Sequence, residues 1–282
     1  MPGPNQVTGR ADILPLFLPS RGQRIFALAA RPFATPSRVG VLVCPAFGEE
    51  MNRTRRTMRL LAGAAASQGA CAIYPDLHGT GDSPGDFADA RWDAWLDDLR
   101  AAADWLRQQD CTSLVLVGIR AGALLAWDLL RGGLGQVQRL VLWQPVITGK
   151  AVVTDLLRTR IAANLQPGTR DSVAQLRGQL AAGQAVEAVG YMLAPDLVNA
   201  LDATALAPPT PPGWPPLSWI EVTGDEAGAM RPAAVSLVAA LQTAGSRAEL
   251  LQQRDPPFWS TAEITVGHGI VQRTLPLLAA CP

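Results

Sequence analysis

Short apolar runs alternate along this chain with longer stretches in which apolar residues recur every third or fourth position. That alternation predicts strands separated by helices. The runs fall at residues 39–44, 70–74, 114–117, 140–143, 219–222 and 248–251. Between 91 and 107, Trp92, Trp95, Leu96, Leu99, Ala102, Ala103 and Leu106 share one helical face, and Asp89 is the candidate cap. Residues 53–68 form a second helical pattern, with Asn52 as candidate cap and Gly69 as a left-handed stop. Ahead of these, residues 14–31 read as a hairpin turning at Ser20-Arg21-Gly22-Gln23. The expected architecture is α/β: a mostly parallel, doubly wound sheet covered on both faces.

Two segments depart from the alternation. Residues 147–206 are helical in composition yet lie between two strand signals, so they are expected to form a helical cap insertion. Residues 207–216 are dominated by proline and read as a stiff return to the sheet. Residues 1–282 are accordingly expected to form one domain carrying that insertion.

Composition narrows the partners. Hydrophobic residues make up 48% of the chain and charged residues 17%, the balance of a chain with a substantial core. The 24 basic and 24 acidic residues cancel, so no global field draws nucleic acid or an anionic membrane. Lys150 is the only lysine; arginine carries the remaining positive charge, which suits bidentate anion binding but also follows from genomic composition. Cys44, Cys71, Cys111 and Cys281 show no metal spacing and read as reduced packing residues, and no cofactor motif is present. The run from Ile13 to Leu18 is too short and too broken by proline for a membrane span. A cytoplasmic location is the expectation.

The candidate chemistry centres on Gly118-Ile119-Arg120-Ala121-Gly122. Its glycine frame, placed between a strand and a helix, is that of a G-x-S-x-G nucleophile elbow, which points to an α/β-hydrolase fold. Arginine stands where the nucleophile belongs. A guanidinium is a permanent cation without an acceptor and does not attack a carbonyl.

Four loops at the carboxyl ends of strands supply the other candidates. The first, Pro45-Ala46-Phe47-Gly48-Glu49-Glu50, lies where such a fold places an oxyanion-hole donor, so the amides of Phe47 and Ala121 are the candidate pair. Glu49 and Glu50 either pair with Arg120 or satisfy the start of the next helix. That helix opens with Arg53, Arg55, Arg56 and Arg59, cations that oppose its dipole and call for a compensating group. The second loop, 75–87, holds His78 and Ser83 among glycines and aspartates; loop packing is the simpler role for both. After the strand at 219–222 come Asp225 and Glu226, of which Asp225 is the candidate triad acid. The loop after the last strand should carry the base, but Phe258-Trp259 stands there, and Trp259 joins Glu49, Glu50 and His78 as a candidate ligand-binding or polar-cluster residue. His268 follows further on. It either completes a triad in the order nucleophile, acid, base or merely opens the closing helix.

Taken together, the segments 45–56 and 75–87, Trp92-Asp93-Ala94-Trp95, the arginine-centred elbow and Pro257-Phe258-Trp259 resemble the exosortase A system-associated hydrolases of the second type. The resemblance spans most of the chain outside the insertion. It implies an α/β-hydrolase fold, a cytoplasmic protein of Gram-negative bacteria, and an association with exopolysaccharide production and the sorting of PEP-type C-terminal signals. It implies no particular reaction. Three functions remain open: binding of an acyl, glycan or carboxylate ligand without hydrolysis; an esterase, thioesterase or acyl transferase with a non-standard site; and a scaffold that docks exosortase or polysaccharide machinery through the insertion.

Overall fold

The computed structural model describes residues 11–33, 38–163, 171–208, 213–224 and 228–279. Two strands, β1 (Ala11–Ser20) and β2 (Gln23–Pro32), form the expected hairpin, with Arg21 and Gly22 both at positive φ in its turn. The strands β3 (Val39–Cys44), β4 (Cys71–Pro75), β5 (Ser113–Ile119), β6 (Val137–Trp143), β9 (Leu217–Thr223) and β10 (Ala248–Arg254) then join the same sheet. Its order is β1-β2-β4-β3-β5-β6-β9-β10. β1 and β2 run antiparallel to their neighbours, and the pairings from β4 through β10 are parallel.

Helices cover both faces, as buried parallel strands require. On one face lie α1 (Glu49–Ser67) and α8 (His268–Thr274), packed through Met58, Leu61, Ile270 and Val271 onto Val41, Val115 and Val141. On the other lie α2 (Trp92–Gln108), α3 (Gly122–Arg131) and α7 (Pro232–Thr243). The apolar face of α2 is buried as its spacing predicts, with Trp95, Leu99, Ala102, Ala103 and Leu106 essentially inaccessible.

Helix starts depart from the sequence reading. α1 begins at Glu49, three residues before its expected cap Asn52, because Gly48 takes φ 64° and ψ −147°, a conformation open essentially to glycine, and turns the chain into the helix. Asp89 does not cap α2. Its carboxylate instead receives the amide of Asp86 in a short preceding turn, and Arg91 occupies the cap position.

The inserted segment is more mixed than expected. Alongside α4 (Gly149–Ala163), α5 (Val173–Ala181) and α6 (Pro195–Asp202) it contains a small antiparallel pair, β7 (Val186–Ala188) and β8 (Tyr191–Leu193). An isolated bridge between Thr148 and Ala205 ties its two ends together. The return at 207–216 falls partly outside the described residues. Cys44, Cys71 and Cys111 are buried, and Cys281 lies outside the described residues. No helix among the described residues is long and apolar enough to cross a membrane.

Candidate functional site

The strand-to-helix turn after β5 has the backbone of a nucleophile elbow. Arg120 sits at φ 54°, a left-handed conformation that costs a non-glycine residue about 1–3 kcal/mol. The flanking glycines make the turn possible. A side chain on Gly122 would run into the carbonyl oxygens of Cys44 and Pro45, and one on Gly118 would come within 2.7 Å of the Ala123 backbone. Strand β3 and the elbow therefore pass too closely for any larger residue.

The arginine is held on three sides. Its Nε and Nη2 donate to one carboxylate oxygen of Glu50 at 3.0 and 2.9 Å, and its Nη1 donates to the carbonyl of Gln144 at 2.9 Å. Its guanidinium carbon lies 5.0 Å from the centre of the Trp259 ring. Only 15% of the Arg120 side chain is exposed, against 31% for Glu50. Where the fold calls for a nucleophile and its base, this chain places a guanidinium stacked on an indole.

Both readings of the acidic pair hold at once. Glu49 and Glu50 form the first turn of α1, where negative charge suits the helix dipole. Glu50 also neutralises Arg120, and Glu49 pairs with Arg53 at 3.1 Å. Arg53 donates further to the carbonyls of Thr261 and Ala262.

Above the elbow lies a cavity of about 450 Å³. Phe47, Ala121, Arg120 and Glu50 line its floor, and Val146, Val152, Leu156 and Tyr191 line its walls. The Phe47 ring is buried against Trp95, centroids 4.9 Å apart, and Phe87 in turn meets Tyr191 edge-on at 5.1 Å. This packing fixes the Phe47 backbone. Neither the Phe47 nor the Ala121 amide has a hydrogen-bond partner among the described residues. Asn52 donates to the Tyr191 hydroxyl at 3.1 Å and so links α1 to the inserted hairpin. Burial pushes the Tyr191 phenol up, and the Glu49 charge adds to that.

The remaining candidates are dispersed. His268 is not brought to Arg120; it opens α8 and lines a different groove, because Asp255 receives the Gly269 and Ile270 amides and pins that helix start. Burial raises the Asp255 carboxyl even so. His78 does not join the acidic cluster. Its amide donates to Asp98 at 2.8 Å and its carbonyl receives Trp95 Nε1, which holds it in a small polar recess beside Ser20 and Arg21. Ser83 accepts from the Phe26 amide and donates to the Asp76 carbonyl, a loop clamp with no base beside it. Asp225 and Glu226 lie outside the described residues. Among the described residues, no group of three or more His, Cys, Asp or Glu side chains is placed to hold a metal ion.

Three contributors went unread in the sequence. Gln144, at φ 41°, presents its carbonyl to Arg120 while its side chain receives the Val222 amide. Beside it, buried Glu221 binds Arg231, whose Nη2 donates to the Pro145 carbonyl at 2.9 Å. The loop after β6 is thus braced by two arginines. The one charged residue of β9, Glu221 between Ile220 and Val222, was the available signal.

The fold matches solved structures over nearly its whole length. Est1E from Butyrivibrio proteoclasticus, solved with ferulic acid bound, superposes with a TM-score of 0.65 at 14% identity, covering 93% of this chain and 97% of that one. A proline iminopeptidase-related protein from Thermus thermophilus gives 0.59 at 17% identity, covering 95% and 98%. An α/β serine hydrolase from Xanthomonas campestris, described as lacking a lid, gives 0.54 at 18%, covering 96% and 97%. No family model and no curated protein sequence matches the chain. The chain has the α/β-hydrolase fold; identity at this level carries the fold and not the chemistry.

Proposed function

We propose that this protein uses its α/β-hydrolase scaffold to bind a small acyl ligand without hydrolysing it. The observation that carries the reading is the elbow itself, where Arg120, Glu50 and Trp259 form a closed cluster in place of a nucleophile and base. The cavity above that cluster remains open.

The charge state of the floor favours the acyl ligand over a free carboxylate or a glycan acid. Arg120 and Arg53 are already neutralised by Glu50 and Glu49, so an incoming anion would have to displace a carboxylate. A neutral carbonyl oxygen needs only donors. The amides of Phe47 and Ala121, unpartnered among the described residues, supply them, as an oxyanion hole does for an acyl group. Val146, Val152 and Leu156 suit the aliphatic remainder. Arg120 offers no nucleophile to the bound carbonyl, so the held ester is not cleaved.

The test pairs binding with turnover. Titration calorimetry with ethyl hexanoate should show saturable binding that Leu156→Trp, which fills the cavity, removes. Absence of binding, or loss of ester at a rate that the same substitution abolishes, overturns the reading.

A second reading has its own observation. The inserted hairpin exposes Val189 and Met192, apolar side chains 38% and 39% accessible. This surface fits a docking role toward exosortase or polysaccharide machinery, the association that the sequence segments suggest. If docking is the function, Met192→Asp disrupts the complex and Leu156→Trp does not.

A further inference from the structure

Helix α1 carries Arg53, Arg55, Arg56 and Arg59, and the structure treats them in two ways. Arg53 pairs with Glu49, and Arg55 pairs with Asp76 at 2.6 Å. Arg56 and Arg59 are exposed and have no carboxylate partner among the described residues. They stand one turn apart at the rim of a second groove of about 460 Å³.

This groove is separate from the cavity over the elbow. It runs between β1, α1 and the segment before α8, with Ala11, Ile13, Leu60 and Ala64 as its apolar lining and Ser67 and His268 as further polar residues. Gly63 keeps it open; a Cβ there would meet nothing nearer than Ile13 Cδ1 at 3.8 Å.

We propose that this groove binds a single-chain amphiphilic carboxylate. The chain lies along Ile13, Leu60 and Gly63, and the head is held by the guanidinium groups of Arg56 and Arg59. A guanidinium fork matches a carboxylate in a bidentate way, and two unneutralised arginines beside an apolar trough complement one anionic head with an aliphatic tail. The occupant is one free chain rather than a lipid surface. The strongly exposed apolar side chains Phe17, Phe33 and Ile264 are not among its lining residues, so the apolar surface offered to a ligand is that of the groove itself, sized for one tail.

Titration calorimetry with octanoate tests the assignment, with octanol and acetate as controls that each lack one half of the ligand. Octanoate should bind to the full chain, and octanol and acetate about tenfold more weakly or worse. The double variant Arg56→Gln/Arg59→Gln should weaken octanoate about tenfold or more. Gly63→Leu should do the same by filling the trough, and it exchanges the poorest ordinary helix former for a good one, so the helix is retained. Leu156→Trp, which fills the other cavity, should leave octanoate binding unchanged. Equal affinity in wild type, the arginine variant and Gly63→Leu overturns the proposal, as does loss of octanoate binding in Leu156→Trp. Flotation with anionic phosphatidylglycerol vesicles that depends on Arg56 and Arg59 overturns the single-chain assignment.

Discussion

Replacing Arg120 by methionine keeps the packed stem but removes every polar contact of the guanidinium. Arg120 makes two hydrogen bonds to one oxygen of Glu50 and one to the Gln144 carbonyl, and it stacks at 5.0 Å on Trp259. A hydrogen bond to a charged group contributes about 1.5–3 kcal/mol when its partner is left buried. Glu50 is nearly a third exposed, so water takes up part of its loss and the pair belongs near the lower end of that range. The stacking adds about 0.5–2 kcal/mol. The strained φ persists in the variant and offsets nothing. The expected destabilisation is about 2–4 kcal/mol, which at about 2–4 °C per kcal/mol for a chain above 150 residues lowers Tm by roughly 4–16 °C. Urea unfolding of wild type, Arg120→Met, Glu50→Gln and the double variant completes a cycle. We expect a coupling of about 1–2 kcal/mol between the two positions. Coupling within about 0.5 kcal/mol of zero refutes the claim that the ion pair organises the elbow.

Three further outcomes follow from the same contacts. Burial alone would raise the Glu221 carboxyl, but bonds from Arg231 and Trp219 bring it below its usual value of 4.5; its contribution to stability is therefore full above that pH and is lost as pH falls through the lower folded value. Urea midpoints between pH 6 and 3 should fall more steeply for wild type than for Glu221→Gln, and parallel curves contradict this. Ser83 should form no adduct with a fluorophosphonate by intact mass, while Ser83→Ala, which leaves the Phe26 amide without its acceptor, should cost about 1–3 kcal/mol; labelling at Ser83 contradicts the loop-clamp role. Gly122→Ala should lower Tm by several degrees or prevent folding, since its methyl meets two backbone carbonyls; an unchanged Tm would show that strand β3 does not press on the elbow.

The sheet was legible because buried parallel strands are nearly continuous apolar runs, and the elbow because Gly118 and Gly122 answer to steric needs that no other residue meets. Trp259 could be placed in the loop that should hold a base, but its stacking on Arg120 joins positions far apart in the chain, and spacing is silent on that. Glu49 and Glu50 show the same limit. Local sequence supported a helix start and an ion pair equally, and only the path of α1 shows that both are satisfied. His268 kept the chain order of a triad and is nonetheless turned away, because Asp255 fixes the start of α8 from a distance. The small hairpin within the insertion escaped notice because strands of three residues leave no periodic trace.

The central claim is that the cluster under the cavity retains an acyl group and does not cleave it. The most direct measurement incubates the purified chain with p-nitrophenyl butyrate, comparing wild type with Leu156→Trp, and follows release of p-nitrophenolate. The account predicts identical traces at the buffer rate for both proteins. Release by wild type that Leu156→Trp abolishes would contradict it, since hydrolysis would then be occurring in the cavity over Arg120.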